Sequence, residues 1–301
     1  MDIDKLLSMH PINCSLEVTP PSKGKGIKPV FETIKPFIEF KPLFVDVTYH
    51  YHKPGTLSIA TAIKYKFGIE TVPHIVCGGF TKEETENFLV ELSYSEFESV
   101  MALRGDAPEG PPYMFTPKPN GFQYASELVE HIKNMNRGNY LNKEQEHRMP
   151  TNFCIGVGCY PEVHPESSSL LEDLKYFKLK QDLGASYAIP QMFFEPEVYR
   201  SFISECREFG ITLPIIPGIK VLSHPKQVEV LPQLFGCKIP KDLLEEVIRK
   251  QDDINSVKQW GVEHAVYQCE QLLKYGAPDL HFYVQNDPAL TVEVMHRLAK
   301  R

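Results

Sequence analysis

The sequence predicts an α/β fold of the (β/α)8 TIM-barrel kind, on three observations. Short apolar or β-branched runs recur eight times along 301 residues. Helically spaced segments alternate with them. No glycine-rich phosphate turn marks an open doubly wound sheet, which normally uses fewer strands. Barrels of this kind reach this length as one domain, so residues 1–301 are expected to form a single barrel domain.

The strand candidates, in order, are "CSLEVT" at 14–19, "LFVDVTY" at 43–49, "TVPHIVC" at 71–77 and "SVMALRG" at 99–105. "NFCIGVGCY" at 152–160, "SYAIPQMFF" at 186–194, "TLPIIPGI" at 212–219 and "LHFYVQN" at 280–286 complete the set. Between them, Leu57, Ala60 and Ile63 share one side of a helix that ends at Gly68. Thr81 and Glu84 stand in capping-box relation at the start of another. Val262, Ala265, Val266, Cys269, Leu272 and Leu273 form the stripe of a long helix that stops at Gly276. "PKDLLEEVIRKQDD" at 240–253 adds an extra helix before the last full barrel helix, and the Pro- and Gly-rich residues 107–123 form a long loop after the fourth strand.

Composition narrows the function. A formal charge of −7 without Lys/Arg clusters argues against nucleic-acid binding. No apolar run reaches the roughly 18 residues of a membrane span, and the N-terminus lacks a signal-peptide pattern, so the expected location is cytoplasmic. Seven cysteines without a CxxC pair read as buried reduced thiols. Three motif matches carry no weight. "NCS" at Asn13 lies in a strand, "RGD" at 104–106 has no extracellular context, and "GKG" at 24–26 meets Pro29 where a dinucleotide fingerprint needs its third glycine.

In a barrel, chemistry gathers where the strands end. The polar residues there are Glu17, Thr48, His74, Asp106, Tyr160, Gln191 and Asn286, from seven strands. Each has a structural alternative, such as a core histidine, a loop cap or a backbone-bonded amide, and it is their convergence that points to a site. His50 and His52 form an HxH just past the second strand rather than in the first, and no HExxH occurs, so a catalytic metal is not expected.

"YPEVHPE" at 160–166, with "VTY" at 47–49, "PHIVC" at 73–77, "ALRGD" at 102–106, "IPGI" at 216–219 and "HFYVQN" at 281–286, resembles the bacterial-type methylenetetrahydrofolate reductases, in order and over nearly the whole chain. The resemblance implies a barrel with non-covalent FAD that uses NADH or NADPH to reduce methylenetetrahydrofolate to methyltetrahydrofolate. Carried over by position, FAD contacts would include Thr48, Tyr49, His74, Arg104, Gly105, Asp106, Tyr124, Ala125, Tyr160, His164, Asp173 and Lys180. Gln191 and Gln227 match folate-contacting positions, and Asp106 stands where flavin and pterin meet. Arg104 and Lys180 suit a pyrophosphate.

The expected order is ping-pong, with both substrates using one flavin face in turn. Glu17 is then the general acid that protonates the leaving nitrogen when the folate ring opens, its carboxyl kept protonated by burial and by the charge of Asp106. The sequence departs from the family pattern at Val18 and Thr19, where an aromatic pair is common, at Tyr176 and Leu179, where smaller polar and basic FAD contacts are usual, and at Leu231, where an aromatic stacks on ligand. The resemblance also implies a homo-oligomer and, since the sequence ends one helix after "HFYVQN", no feedback inhibition by adenosylmethionine. The competing readings are another flavin barrel, such as a proline dehydrogenase, and a non-catalytic barrel subunit; Gln191 and Asp106 suit a pterin edge better than an amino acid.

Overall fold

The computed structural model describes residues 13–107, 114–144, 148–277, 279–285 and 288–300. Eight parallel strands appear where the alternating runs lie: β1 (Cys14–Val18), β2 (Phe44–Val47), β3 (Glu70–Val76), β4 (Ser99–Leu103), β5 (Cys154–Cys159), β6 (Tyr187–Pro190), β7 (Gly218–Ile219) and β8 (Leu280–Gln285). They pair in the order β6-β5-β4-β3-β2-β1-β8-β7.

The seventh strand is much shorter than the predicted 212–219. Pro214 and Pro217 have no N–H to donate, so the ladder there breaks into Gly218–Ile219 against β8 and a single bridge from Ile215 to Ala188 of β6. That bridge, with Ile216 N–H bonded to the Ala188 carbonyl at 2.9 Å, links the two ends of the strand order and brings the sheet to near closure.

The helices follow in turn: α1 (Lys28–Ile34, run on by a short 3-10 segment), α2 (Thr56–Phe67), α3 (Lys82–Tyr94), α4 (Ala125–Met135), α5 (Leu170–Leu183) and α6 (Pro196–Glu208). After β7 come α7 (Gln227–Phe235), α8 (Lys241–Arg249) and α9 (Ile254–Lys274), and α10 (Pro288–Ala299) follows β8. The Thr81–Glu84 capping box forms, with bonds of 2.7 and 3.1 Å in the two directions. Gly68 closes α2 in the left-handed conformation. The extra helix at 240–253 is present as α8, preceded by α7, which the sequence reading did not separate.

Two apolar layers follow from strand alternation. Outward residues such as Leu16, Val18, Val45, Val47 and Ile75 pack beneath the helices. The barrel interior holds Phe44, Val72, Met101, Tyr187, Ile189 and Ile216. Room for the two large inner rings comes from glycine: an added Cβ would lie 2.5 Å from the Tyr187 ring at Gly156 and 2.5 Å from the Tyr283 ring at Gly218. All seven cysteines are free.

Helix α9 lies against the chain leaving β7. A Cβ on Gly261 would stand 2.0 Å from the Leu222 carbonyl oxygen. Gly→Ala inside a helix ordinarily stabilises by about 1 kcal/mol. Here Gly261→Ala is expected to destabilise by roughly 1–3 kcal/mol, because backbone must move. A lower urea midpoint with unchanged slope would show it; a higher midpoint would refute the contact.

Candidate active site

The first polar group at the mouth is Glu17 on β1. Its register partners are Asp46 on β2 and Tyr283 on β8, and in a parallel sheet such neighbours share a face. Glu17 therefore points into the barrel although Leu16 and Val18 beside it are core residues. Its side chain is 18% exposed, and Oε2 lies 4.0 Å from His74 Nε2.

Burial pushes the Glu17 carboxyl up to about 7. The His74 charge pulls it down, Asp46 pushes it up and Lys220 pulls it down. The acid acting on Glu17 is Asp46 and not the expected Asp106. Asp46 is one strand away in register, whereas Asp106 lies beyond β4, exposed, where its charge acts on Arg104, Tyr160, His164 and His50.

His74 is buried between Glu17 and Asp46, its Nε2 3.7 Å from Asp46 Oδ2. Burial alone would lower its affinity for a proton, but Asp46 and then Glu17 outweigh burial and raise it.

A second group gathers at the ends of β4 and β5. Arg104 makes a two-pronged pair with Glu166, at 2.6 and 2.9 Å, and lies over the Phe115 ring. The hydrogen bond from Arg104 holds the Glu166 carboxyl below its ordinary range. Tyr160 and His164 meet edge to face, with ring centroids 4.4 Å apart, and burial pushes the Tyr160 hydroxyl up to about 12. His164 Nδ1 accepts from the Glu166 N–H at 3.0 Å, while the His164 N–H donates to Asp173 at 2.9 Å. Lys180 on α5 turns inward to the Gly158 carbonyl, and burial lowers its proton affinity. Gly105 takes a positive φ of 81° between Arg104 and Asp106, the left-handed region that glycine enters freely.

The remaining candidates are spread around the rim. Thr48 follows β2, its N–H bonded to the Val18 carbonyl at 3.0 Å, and its buried hydroxyl oxygen has no hydrogen-bond partner among the described residues. Tyr49 packs edge-on against Tyr51 and Phe80. Tyr124 caps α4, with Ala125 as its first residue, and stacks on Tyr176 at 6.3 Å. The Gln191 side-chain oxygen accepts from Met192 N–H at 2.9 Å. Gln227 accepts from the N–H groups of Ser223 and His224 at 2.7 and 3.0 Å, which makes it a brace for the loop after β7.

Among the departures, Tyr176 and Leu179 are exposed on α5, and Leu231 is buried against α7–α9 residues such as Leu243 and Val247. Asn286 lies outside the described residues. Among the described residues no set of three or more His, Cys, Asp or Glu side chains is arranged to hold a metal ion. Nor is any helix among them long and apolar enough to cross a membrane.

Sequence reasoning missed Asp46, His281, Lys220 and Glu166. The first was findable: "FVDVT" sets one acid in an apolar strand as "SLEVT" does.

Fold and site define a (β/α)8-barrel protein whose strand ends carry a protonatable carboxyl and a partly cationic wall. The family model described as "Methylenetetrahydrofolate reductase" matches residues 2–299. A protein of Escherichia coli (strain K12) named "5,10-methylenetetrahydrofolate reductase" is 32% identical, over 96% of this chain and 92% of its own. "Probable methylenetetrahydrofolate reductase (NADPH)" of Caenorhabditis elegans is 31% identical over 98% of this chain, and "Methylenetetrahydrofolate reductase (NADH) 1" of Arabidopsis thaliana is 29% identical over 94%. The chain spans only 43% and 48% of the length of those two relatives. A solved structure titled "Uncharacterized protein from Clostridium thermocellum binds two copies of 5-methyl-5,6,7,8-tetrahydrofolic acid" shares the fold, with a TM-score of 0.64 at 14% identity, over 100% of this chain and 98% of that one. This chain belongs to the methylenetetrahydrofolate reductase family.

Two buried carboxyls make stability depend on pH. Burial raises Glu17 from 4.5 to about 7 and Asp279 from 3.8 to about 8. Both bind protons more tightly folded than unfolded, so their contribution is complete below about pH 4 and is lost as pH rises through 7 and 8. These two groups lower the melting temperature as pH rises from about 4 to about 8. Glu17→Gln should remove the loss that falls between about pH 4.5 and 7, and Asp279→Asn the loss spread from about pH 4 to 8; unchanged slopes in both variants would contradict the assignment.

Proposed function

We propose that this protein is a FAD-dependent oxidoreductase that reduces methylenetetrahydrofolate to methyltetrahydrofolate with NADH or NADPH. One observation carries the reading: a family member has, at the end of its first strand, a largely buried carboxyl that titrates near 7 and opens to the mouth of the barrel. Such an acid is half protonated at neutral pH, which is what proton donation to a weakly basic leaving nitrogen requires.

The side chains present fit FAD. The buried Thr48 hydroxyl lacks a protein partner among the described residues, and Tyr160, His164 and Asp173 offer polar edges near β5. Arg104 and Lys180 supply positive charge. The Glu166 pair uses two of the five guanidinium N–H donors of Arg104, leaving three for a pyrophosphate. Thr48, Tyr49, His74, Arg104, Gly105, Asp106, Tyr124, Ala125, Tyr160, His164, Asp173 and Lys180 are the proposed cofactor-binding residues. Bound there, FAD would accept hydride from NAD(P)H and pass it to the folate in a ping-pong order.

The protein's own part is acid–base chemistry and positioning. Glu17 gives its proton to the leaving ring nitrogen as the C–N bond breaks, which opens the imidazolidine to an iminium and leaves Glu17 as carboxylate. His74 stands behind it with a proton held by Asp46, so the new negative charge forms beside a cation. Asp106, Gln191 and Gln227 are proposed to hold the pterin, Gln191 and Gln227 through amide nitrogens whose oxygens are already bonded to backbone.

The purified protein, or the protein reconstituted with FAD, should show flavin absorbance that NADH or NADPH bleaches and methylenetetrahydrofolate restores, while a proline analogue does not. A protein that cannot take up FAD would end the proposal. Glu17→Gln should leave bleaching within a few-fold of the parent and slow the folate step by roughly 10²–10⁴-fold; equal loss in both steps would remove the general-acid role.

A further inference from the structure

A row of polar groups continues below Glu17 into the barrel. His74 Nε2 stands 4.0 Å from Glu17 Oε2 and 3.7 Å from Asp46 Oδ2. Asp46 Oδ2 is 3.8 Å from His281 Nε2. On its other side His281 Nδ1 is 2.9 Å from Ser15 Oγ, and Ser15 Oγ is 3.4 Å from Asp279 Oδ2. The groups come from β1, β2, β3 and the start of β8, and Ser15 and Glu17 lie two residues apart on one face of β1.

Burial makes this arrangement chemically demanding. Asp46 is 1% exposed, and Ser15, Asp279 and His281 are fully buried. Both oxygens of Asp46 and the Nε2 atoms of His74 and His281 have no hydrogen-bond partner within bonding distance among the described residues. A buried carboxylate needs donors. Two imidazole Nε2 atoms stand 3.7 and 3.8 Å from Asp46 Oδ2, each within about half an ångström of a direct bond, and the Tyr187 hydroxyl also faces it.

We propose that Asp46, His281, Ser15 and Asp279 act with His74 as one proton-sharing network whose upper end is Glu17, so that groups deep in the barrel control the proton of the acid at its mouth. The proposal rests on reading Glu17 as the general acid. Asp46, His281, Ser15 and Asp279 are positioning residues that act through His74.

The network has two settings. With Asp279 protonated, Asp279 donates to Ser15, Ser15 donates to His281 Nδ1, and His281 carries its proton on Nε2, facing Asp46. Burial pushes Asp279 up to about 8 and His281 down to about 4, so this is the setting at neutral pH. When Asp279 ionises, Ser15 turns to donate to it, His281 moves its proton to Nδ1, and Asp46 loses one donor. The Asp46 charge then falls more heavily on His74, which keeps its proton more tightly and draws Glu17 down.

Other groups face these residues. Lys220, beyond β7, and Tyr283 on β8 face Glu17; the Tyr187 hydroxyl from β6 and Tyr283 face Asp46. Phe44 and Tyr283 flank the His281 ring, and Cys14 faces Asp279.

The sign of each substitution follows. Asp46→Asn removes the upward push of Asp46 on Glu17, and it also takes from His74 the partner that keeps it charged. The downward pull of His74 on Glu17 is the larger of the two, so the net change is upward. Ser15→Ala instead frees His281 from the tautomer that serves Asp46, and the change is downward.

The test is the pH profile of methylenetetrahydrofolate-driven reoxidation of the NADH-reduced holoenzyme, with NADH-driven reduction as internal control. The alkaline midpoint of reoxidation should rise in Asp46→Asn and fall in Ser15→Ala, each by about half a pH unit or more, and Ser15→Thr, which keeps the hydroxyl, should restore the parent value. Unmoved midpoints, or shifts of one sign in both variants, would overturn the network. If Asp46→Asn does not fold, the contrast between Ser15→Ala and Ser15→Thr decides alone. A Glu17→Gln enzyme that still reoxidises at the parent rate would remove the general-acid reading and the network with it; an inactive Glu17→Gln with unmoved Ser15 midpoints would remove the network only.

Discussion

The mouth of this barrel depends on one buried carboxylate. Asp46 sits on β2 inside a barrel otherwise filled by Phe44, Val72, Met101 and Tyr187, and two imidazoles on strands to either side face it. Removing charge from water into such a space costs several kcal/mol per ion even after relaxation, so it persists only where opposite charge and donors are built around it. Parallel pairing supplies them. Glu17 and Asp46 are register partners, as are Ser15 and His281, so strand geometry alone brings the polar residues of three strands into one column.

That column divides the mouth into two electrostatic regions. On the side of β1–β3 the ionisable groups are deep and coupled, and a proton can be held near neutral pH. On the side of β4 and β5 the charges are nearer solvent and paired by geometry, as in the forked Arg104–Glu166 pair and the His164–Asp173 backbone bond. The first region suits proton transfer and the second suits a large anionic ligand, and the two need different dielectric surroundings. The glycines of β5 and β7 make this compatible with a packed interior, because Tyr187 and Tyr283 occupy the space their side chains would fill.

The fold was legible because barrel strands and helices advertise themselves by period, and six of the eight strands lie within about two residues of their predicted limits. The seventh was not, since hydrophobicity reads the same in "TLPIIPGI" whether or not prolines leave the ladder without donors. At the site, Glu17 stood out as an acid in an apolar strand. Asp46 carries the same signature in "FVDVT", but that it stands beside Glu17 follows only from the pairing of β1 with β2. The assignment of Asp106 as the neighbour of Glu17 failed for a different reason: both lie at strand ends, but proximity around a barrel is set by strand order, and β4 is three strands from β1.

The sequence by itself determined the barrel, the family to which the chain belongs and the presence of an acid at the end of the first strand, since alternation, helical spacing and ordered motifs are local properties of the chain. Only the tertiary structure decided which groups that acid answers to. Register between parallel strands sets Asp46 beside Glu17 and His281 beside Ser15, the curl of the sheet brings His74 to within 4.0 Å of Glu17, and burial sets how strongly their charges act; neither quantity exists until strands distant in sequence lie side by side.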